Sequence, residues 1–513
     1  MAGGTTHLWL WQALAVETTV TTDSGSLRGV QLANGVRRFL GIPYATSDRF
    51  GPPVPLDGWS GELDASTFGA AAPQPVSAAG LVPDSKPGAE MSEACQFLNV
   101  WTPSGSGPWP VLVWVHGGSF LTGSASMPTY DPAALAARGA VVVSINYRLG
   151  PFGFVSFDSL GGANRGWVAN AGLHDVVAAL QWVRQHIGAF AGAPDRVTVF
   201  GESAGGGVIL HLLGAPGRGE WFDRAIVQSG SAGRTFDSST AAVVAERLLA
   251  GFGGDLDQLA QASTDSLCAA IGVVASDPAV FSLAGMMPFH PCIDDRLVLG
   301  APAVVLADGA GAGCDTIMGV TRDEMHLFLD AGPLDDDRAV RRVTKYLACD
   351  DRSAAELLAR YRERLVAEGL PASTLHAWGG IYTDREMNLP ARTLLDGVAT
   401  HHASTWGYEF TWSAPPRPDG RPLGAAHAVD LPFTFSTFDV DSWRTFVGAD
   451  GDRAAAAQGL ATAIQDAWVR FAATGDPGWP CWSASRPTYE FGVGQGVLDD
   501  PIGSRAALWD VVN

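Results

Sequence analysis

The stretch Phe200-Gly201-Glu202-Ser203-Ala204-Gly205-Gly206 decides how the rest of the chain is read. A β-branched run, Val197-Thr198-Val199, leads into it, and an apolar run from Val208 to Leu213 follows. Strand, sharp turn and helix in succession are what a nucleophile elbow requires: the turn holds the serine in a strained backbone conformation with its hydroxyl exposed at the edge of the sheet. Glycines on both sides leave room for the chain to close around it. The spacing alone carries little weight, because 62 of the 513 residues are glycine and a G-x-S-x-G arises readily by chance. A glycine-rich turn with a solvated serine is the competing reading, and context decides.

Upstream, Val111 to Val115 and Ala140 to Ile145 are continuous apolar runs, the pattern of central strands in a parallel sheet covered on both faces. Pro132 to Arg138 between them reads as a helical turn. Leu173 to Ile187 carries Val176, Val177, Leu180, Val183 and Ile187 at helical spacing. The order strand, helix, strand, helix implies an α/β fold whose ligands bind at the carboxyl ends of the strands, where Ser203 stands. Short strands are expected at Ser26 to Val30 and Arg38 to Ile42, a surface loop at Ala70 to Gly88, and helices at Ala241 to Gly251 and Ala354 to Glu368. The later helices are expected to form a lid. The length allows several domains, but the single elaborated domain 1–513, with residues 1–20 a disordered or processed N-terminus, fits the pattern best.

A serine hydroxyl needs a base, a carboxylate that orients the base, and donors aimed at the developing oxyanion. His116-Gly117-Gly118-Ser119-Phe120, directly after the strand ending at Val115, is the candidate for the donors. Eleven histidines compete for the base. His427 stands in a loop before Leu431-Pro432-Phe433, from which an imidazole can reach across, whereas His211 lies on the helix leaving the elbow and His116 belongs to the turn. The acid should lie between serine and histidine in chain order, which leaves Asp323 and Glu324, after the strand-like Thr316-Ile317-Met318.

The formal charge of −20 argues against nucleic-acid binding, which needs clustered Lys and Arg. Only Lys86 and Lys345 are lysines, a bias of GC-rich bacterial coding. Cys95, Cys268, Cys292, Cys314, Cys349 and Cys481 show no C-x-x-C spacing and read as buried small hydrophobes. No window reaches the roughly 20 apolar residues of a transmembrane span. Leu8 to Ala15 lacks a preceding Lys or Arg, so a cytoplasmic location is expected over secretion, although Ala13-Leu14-Ala15 imitates a cleavage site.

Taken in order, Gly41 to Ala45, Leu98 to Trp101, His116 to Phe120, Asn146 to Gly150, Gly201 to Gly205, Gln228 to Ser231, Asp323-Glu324, His427 and Trp468 to Gly475 resemble the type-B carboxylesterases, which include bacterial para-nitrobenzyl esterases and the cholinesterases. The resemblance covers nearly the whole chain. It implies an α/β-hydrolase fold and hydrolysis of a small-molecule carboxylic ester through an acyl-enzyme, with no metal or organic cofactor. It also implies Ser203, Glu324 and His427 as the triad, the backbone N–H groups of Gly118, Ser119 and Ala204 as oxyanion donors, and Gly117 as the residue shaping that turn. Ser229 resembles a serine near the acid and base, and Glu202 a glutamate that tunes the site through water. Buried ion pairs Arg49 with Glu93 and Arg148 with Asp175 are implied as well. Ser119 replaces the usual glycine, Met325 stands where D-E-G is common, the Pro-Pro-x-Gly after the first motif is missing, and Cys95 lacks its usual partner. A lipase or acyltransferase on the same site is the alternative activity, and a binding module that has lost catalysis the alternative class.

Overall fold

Alternate residues of each central strand face opposite ways, and here both directions lead into a core. The structure, a computed structural model, describes residues 16–75, 81–84, 86–230, 234–285, 287–332 and 334–512. Val111, Val113, Val115 and Val199 enter one core with Leu173, Val176, Leu180 and Val183 of the helix Ala171–His186. Leu112, Trp114, Phe200 and Ile226 enter the other, against Phe433, Phe435 and Trp468. Burial on both faces explains why the central strands Trp109–Val115 and Val141–Ile145 read as unbroken apolar runs.

Among the described residues the sheet has 13 strands. A parallel block runs in spatial order Val141–Ile145, Trp109–Val115, Gly192–Glu202, Arg224–Gln228, Asp315–Thr321, Thr405–Phe410 and Pro487–Phe491. Antiparallel strands flank it, from Val16–Thr22 through Phe97–Thr102 on one side and Gly496–Asp499 on the other. Every element that supplies a candidate site residue leaves the carboxyl end of a neighbouring parallel strand. Gly201 pairs with both Val115 and Val227, and Gln228 with Gly319, so the loops after these strands converge.

Several expectations change. Residues 1–15 lie outside the described residues, and Val16 to Val20 of the suspected N-terminal tail form an edge strand on Leu27 to Gln31. The expected surface loop at 70–88 begins buried: Gln74 donates to the carbonyls of Ala72 and Gly123 at 3.0 and 2.9 Å and accepts from Gly123 N–H at 2.9 Å. Residues 76–80 and 85 of that segment lie outside the described residues. Cys95, Cys292 and Cys314 are buried as expected, but Cys268 and Cys349 are only partly covered and Cys481 is exposed. All six are free thiols. The helix at 171–186 is buried around most of its circumference rather than along one stripe, because the short helices Gly150–Gly153 and Arg218–Trp221 pack on it as well as the sheet. In the later half, helices Asp336–Leu347, Asp351–Ala367 and Thr374–Thr383 share their own apolar core around Val343, Leu357, Tyr361 and Trp378, and Thr374–Thr383 packs on the segment that follows Glu324.

Candidate active site

Ser203 has φ 57° and ψ −122°, a region that costs a non-glycine residue backbone strain. Two hydrogen bonds hold it there: its N–H donates to Gln228 O at 3.0 Å, and its carbonyl accepts from Gly207 N–H at 2.9 Å. The flanking glycines are needed for contact as well as for the turn. A Cβ on Gly205 would lie 2.0 Å from the carbonyl oxygen of Val115, and one on Gly201 2.7 Å from the same atom. Elbow and upstream strand therefore touch backbone to backbone.

Beyond Val115 the chain turns through Gly118 (φ 115°), Ser119 (57°) and Phe120 (59°), closed by Leu121 and Thr122 N–H donating to Gly118 O at 3.0 and 2.9 Å. A Cβ on Gly117 would sit 3.0 Å from Ser203 Cβ, so the turn lies against the serine. Gly118, Ser119 and Ala204 N–H groups donate to no partner among the described residues, and Ala204 opens the helix Ala204–Leu213, whose dipole favours negative charge at this end. His116 holds the turn: Nδ1 lies 2.9 Å from Gly117 O, the ring stacks on Tyr147, and burial lowers its pKa to about 4, so it stays neutral. Tyr147 OH donates to His116 O at 2.7 Å.

The two acids that the sequence left open divide their work. Glu324 is fully buried; Oε2 accepts from His427 Nδ1 at 2.6 Å and Oε1 from Thr321 N–H at 2.8 Å. Asp323 pairs with Arg322 at 2.9 Å and accepts from Ala425 N–H at 2.9 Å. Although burial opposes it, these partners hold its carboxyl well below the ordinary range. Asp323 thus anchors the loop that carries His427, whose own N–H donates to Glu324 O at 3.1 Å. His211 instead bonds Gly207 O and Thr235 Oγ1, and its pKa falls to about 4 through burial.

Residues 16–490 match the profile described as the Carboxylesterase family. The chain belongs to the carboxylesterase family. Among curated relatives it is 36% identical over 479 residues to the para-nitrobenzyl esterase of Bacillus subtilis (strain 168), covering 90% of this chain and 92% of the relative. It is 32% identical to the fumonisin B1 esterase of Sphingopyxis macrogoltabida, covering 93% and 87%. Among solved structures, a PNB esterase superposes with TM-score 0.80 at 33% identity, covering 96% and 99%. A Geobacillus stearothermophilus carboxylesterase superposes with 0.79 at 33%, covering 96% and 100%. The protein is a serine carboxylesterase with the α/β-hydrolase fold and hydrolyses carboxylic esters.

Other features of this carboxylesterase bear on the supporting residues that the resemblance implied. Glu202 Oε1 lies 3.1 Å from His427 Nε2, and the pair is not aligned as a hydrogen bond. The Ser203 hydroxyl makes no hydrogen bond among the described residues. Burial alone would lower the His427 pKa, but Glu202 and Glu324 more than offset it and push it up to about 9. Burial raises Glu202 to about 8 despite the nearby imidazole. Ser229, at φ 49°, is fully buried; its N–H donates to Gly319 O at 2.8 Å, while its hydroxyl has no hydrogen-bond partner among the described residues. Arg148 and Asp175 form a fully buried pair at 2.7 Å, whereas Arg49 and Glu93 are only partly covered.

Sequence reasoning missed Asp430. It is 2% exposed, accepts from Gln228 Nε2 at 2.9 Å, and burial raises its pKa to about 6. Strand parity carried a signal for this contact: Phe200 and Ile226 enter the core that holds Phe433, so Glu202 and Gln228, two residues on, face the same side. The Phe328 ring lies 5.6 Å from the His427 ring. Among the described residues no cluster of His, Cys, Asp or Glu is arranged to hold a metal ion.

Proposed function

We propose that Ser203 is the nucleophile, His427 its base and Glu324 the carboxylate that orients the base. The observation that carries this reading is the 2.6 Å contact of His427 Nδ1 with a buried Glu324, on a loop that converges with the strained elbow at Ser203. The carboxylate fixes the tautomer that leaves Nε2 free to take a proton. As the Ser203 hydroxyl attacks the ester carbonyl, His427 accepts its proton. The oxyanion settles against the N–H groups of Gly118, Ser119 and Ala204, each contributing roughly 2.7–4 kcal/mol to the transition state. Collapse expels the alcohol, protonated by His427, and leaves an acyl-enzyme that water hydrolyses by the same steps. Gly117 lets the turn approach Ser203, and Glu202 sets how strongly His427 holds its proton. Ser229, buried at φ 49°, ties the end of its strand to Gly319 O.

The test is covalent labelling of Ser203 by an organophosphonate together with a burst of alcohol from an activated ester. Ser203→Ala should abolish both; hydrolysis at the wild-type rate by this variant would refute the assignment.

A further inference from the structure

The helix Thr374–Thr383 continues into Leu389–His401 through one π-helical turn, Asp384–Asn388, in which Leu389 N–H donates to the Asp384 carbonyl five residues back. Pro390 stands just beyond, and in a regular α-helix its ring would crowd the Glu386 carbonyl. An α-helix turns about 100° per residue, which sends residues five apart about 140° away from each other. A single i→i+5 turn closes most of that gap, and such turns recur at functional sites. Here Thr383 and Asn388, 1% and 0% exposed, both reach the same stretch of chain.

That stretch carries Glu324, and its main chain is held from three sides. On the neighbouring strand, Phe410 O accepts from Arg322 N–H at 2.9 Å. In the loop of the base, Ala425 O accepts from Asp323 N–H at 2.9 Å and His427 N–H donates to Glu324 O at 3.1 Å. From the π-helical turn, Thr383 Oγ1 accepts from Met325 N–H at 3.0 Å and Asn388 Nδ2 donates to Arg322 O at 3.4 Å, one bond on each side of Glu324. The first two sides hold by backbone alone. Among the described residues, Thr383 and Asn388 are the only side chains from outside that bond the main chain of 322–325. The contact is close: one helical turn before Thr383, a Cβ on Gly379 would lie 2.4 Å from the His326 ring.

The π-helical turn is itself anchored. Buried Asp384 accepts from the Tyr361 hydroxyl at 2.6 Å and faces Arg505 at 3.3 Å, and Arg505 pairs with Glu409 at 2.6 Å. Glu409 is the register partner of Val320 in the strand that leads to Glu324, so these bonds close a circuit around the acid. We propose that Thr383 and Asn388 are positioning residues for ester hydrolysis: from the π-helical turn they fix the main chain on both sides of Glu324 and so keep its carboxylate against His427 Nδ1. The inference rests on the triad reading above and adds to it the groups that place its acid.

The test compares Thr383→Val, which keeps the shape but removes the acceptor, with Thr383→Ser, which keeps the acceptor, and with Asn388→Leu, which removes the donor on the other side. Melting curves show which variants are folded. For each, kcat and KM are measured on a soluble activated ester across pH, and the strongly deshielded proton of an imidazole Nδ1–H shared with a carboxylate is followed by NMR. Thr383→Val should lower kcat about ten- to a hundredfold with KM within about twofold, since a misplacement of about 1 Å can cost a hundredfold. Glu324 helps to raise the His427 pKa, so a looser contact should move the kcat/KM inflection to lower pH and the proton signal upfield. Thr383→Ser should restore all of these readouts. Asn388→Leu should repeat the Thr383→Val pattern more weakly, because its bond is longer. A purely structural role would lower the melting temperature and leave the inflection and the proton signal in place. That result in folded Thr383→Val, or Thr383→Ser as impaired as Thr383→Val, would overturn the proposal. So would failure of both Thr383→Val and Asn388→Leu to fold, which would make the turn a folding element only. Failure of the triad reading looks different: Glu324→Gln would then keep the wild-type rate, whatever the Thr383 variants do.

Discussion

Replacing Glu202 by Gln keeps the shape of the side chain but removes the charge 3.1 Å from His427 Nε2. Burial works against the imidazolium, yet the neighbouring carboxylates raise His427 from 6.5 to about 9, with Glu202 the largest of these opposing influences. At an effective dielectric constant of about 20, a full charge at that distance is worth about 5 kcal/mol, an upper bound because Glu202, raised to about 8, is itself mostly protonated at neutral pH and carries its full charge only above that. A downward shift of at least about one pKa unit, or about 1.4 kcal/mol, is therefore expected. In the proposed mechanism His427 works deprotonated, so a raised pKa delays the rise of kcat/KM to higher pH, and removing Glu202's charge moves that rise to lower pH. The assay is kcat/KM for a soluble activated ester between pH 5 and 10, alongside the variant's melting curve to confirm that it is folded. An inflection within about 0.3 units of wild type in a folded Glu202→Gln enzyme would refute the electrostatic argument.

Glu324→Gln should lower kcat by roughly three to four orders of magnitude in single-turnover kinetics, because the amide no longer stabilises the imidazolium or enforces its tautomer. Gly205→Ala places a Cβ 2.0 Å from Val115 O and should cost about 2–4 kcal/mol in urea unfolding. Arg148→Leu leaves Asp175 buried and unpaired and should cost roughly 3–5 kcal/mol. Arg49→Leu, in a partly exposed pair, should cost markedly less in the same measurement.

Where a feature is written in local chemistry, the sequence carried it. The doubly apolar strands, the glycines of the elbow and the turn after Val115 follow from backbone geometry that only certain residues permit. Where two acids sit side by side, spacing did not, and only the family resemblance pointed to Glu324: Asp323 and Glu324 look alike until Arg322 and Ala425 claim the first and His427 the second. Gln74 lay in a stretch rich in Ala, Pro and Ser whose composition suggests solvent, and only tertiary structure shows it pinning Gly123, beyond the oxyanion turn. Asp430 had a faint signal in strand parity, but its burial beside Glu202 depends on how the loop after His427 packs.

Val115 O is the atom that both glycines of the elbow approach, and the strand it ends runs straight into the oxyanion turn. The proposed nucleophile and the proposed oxyanion donors therefore meet at a single backbone crossing at the middle of the sheet and stay together while that crossing survives. On heating, the active fraction should track the fraction of molecules still folded, with no warm, intact but idle enzyme in between. Engineering for heat tolerance can accordingly be pursued at the periphery of the sheet, far from Ser203, and still be read out by turnover alone.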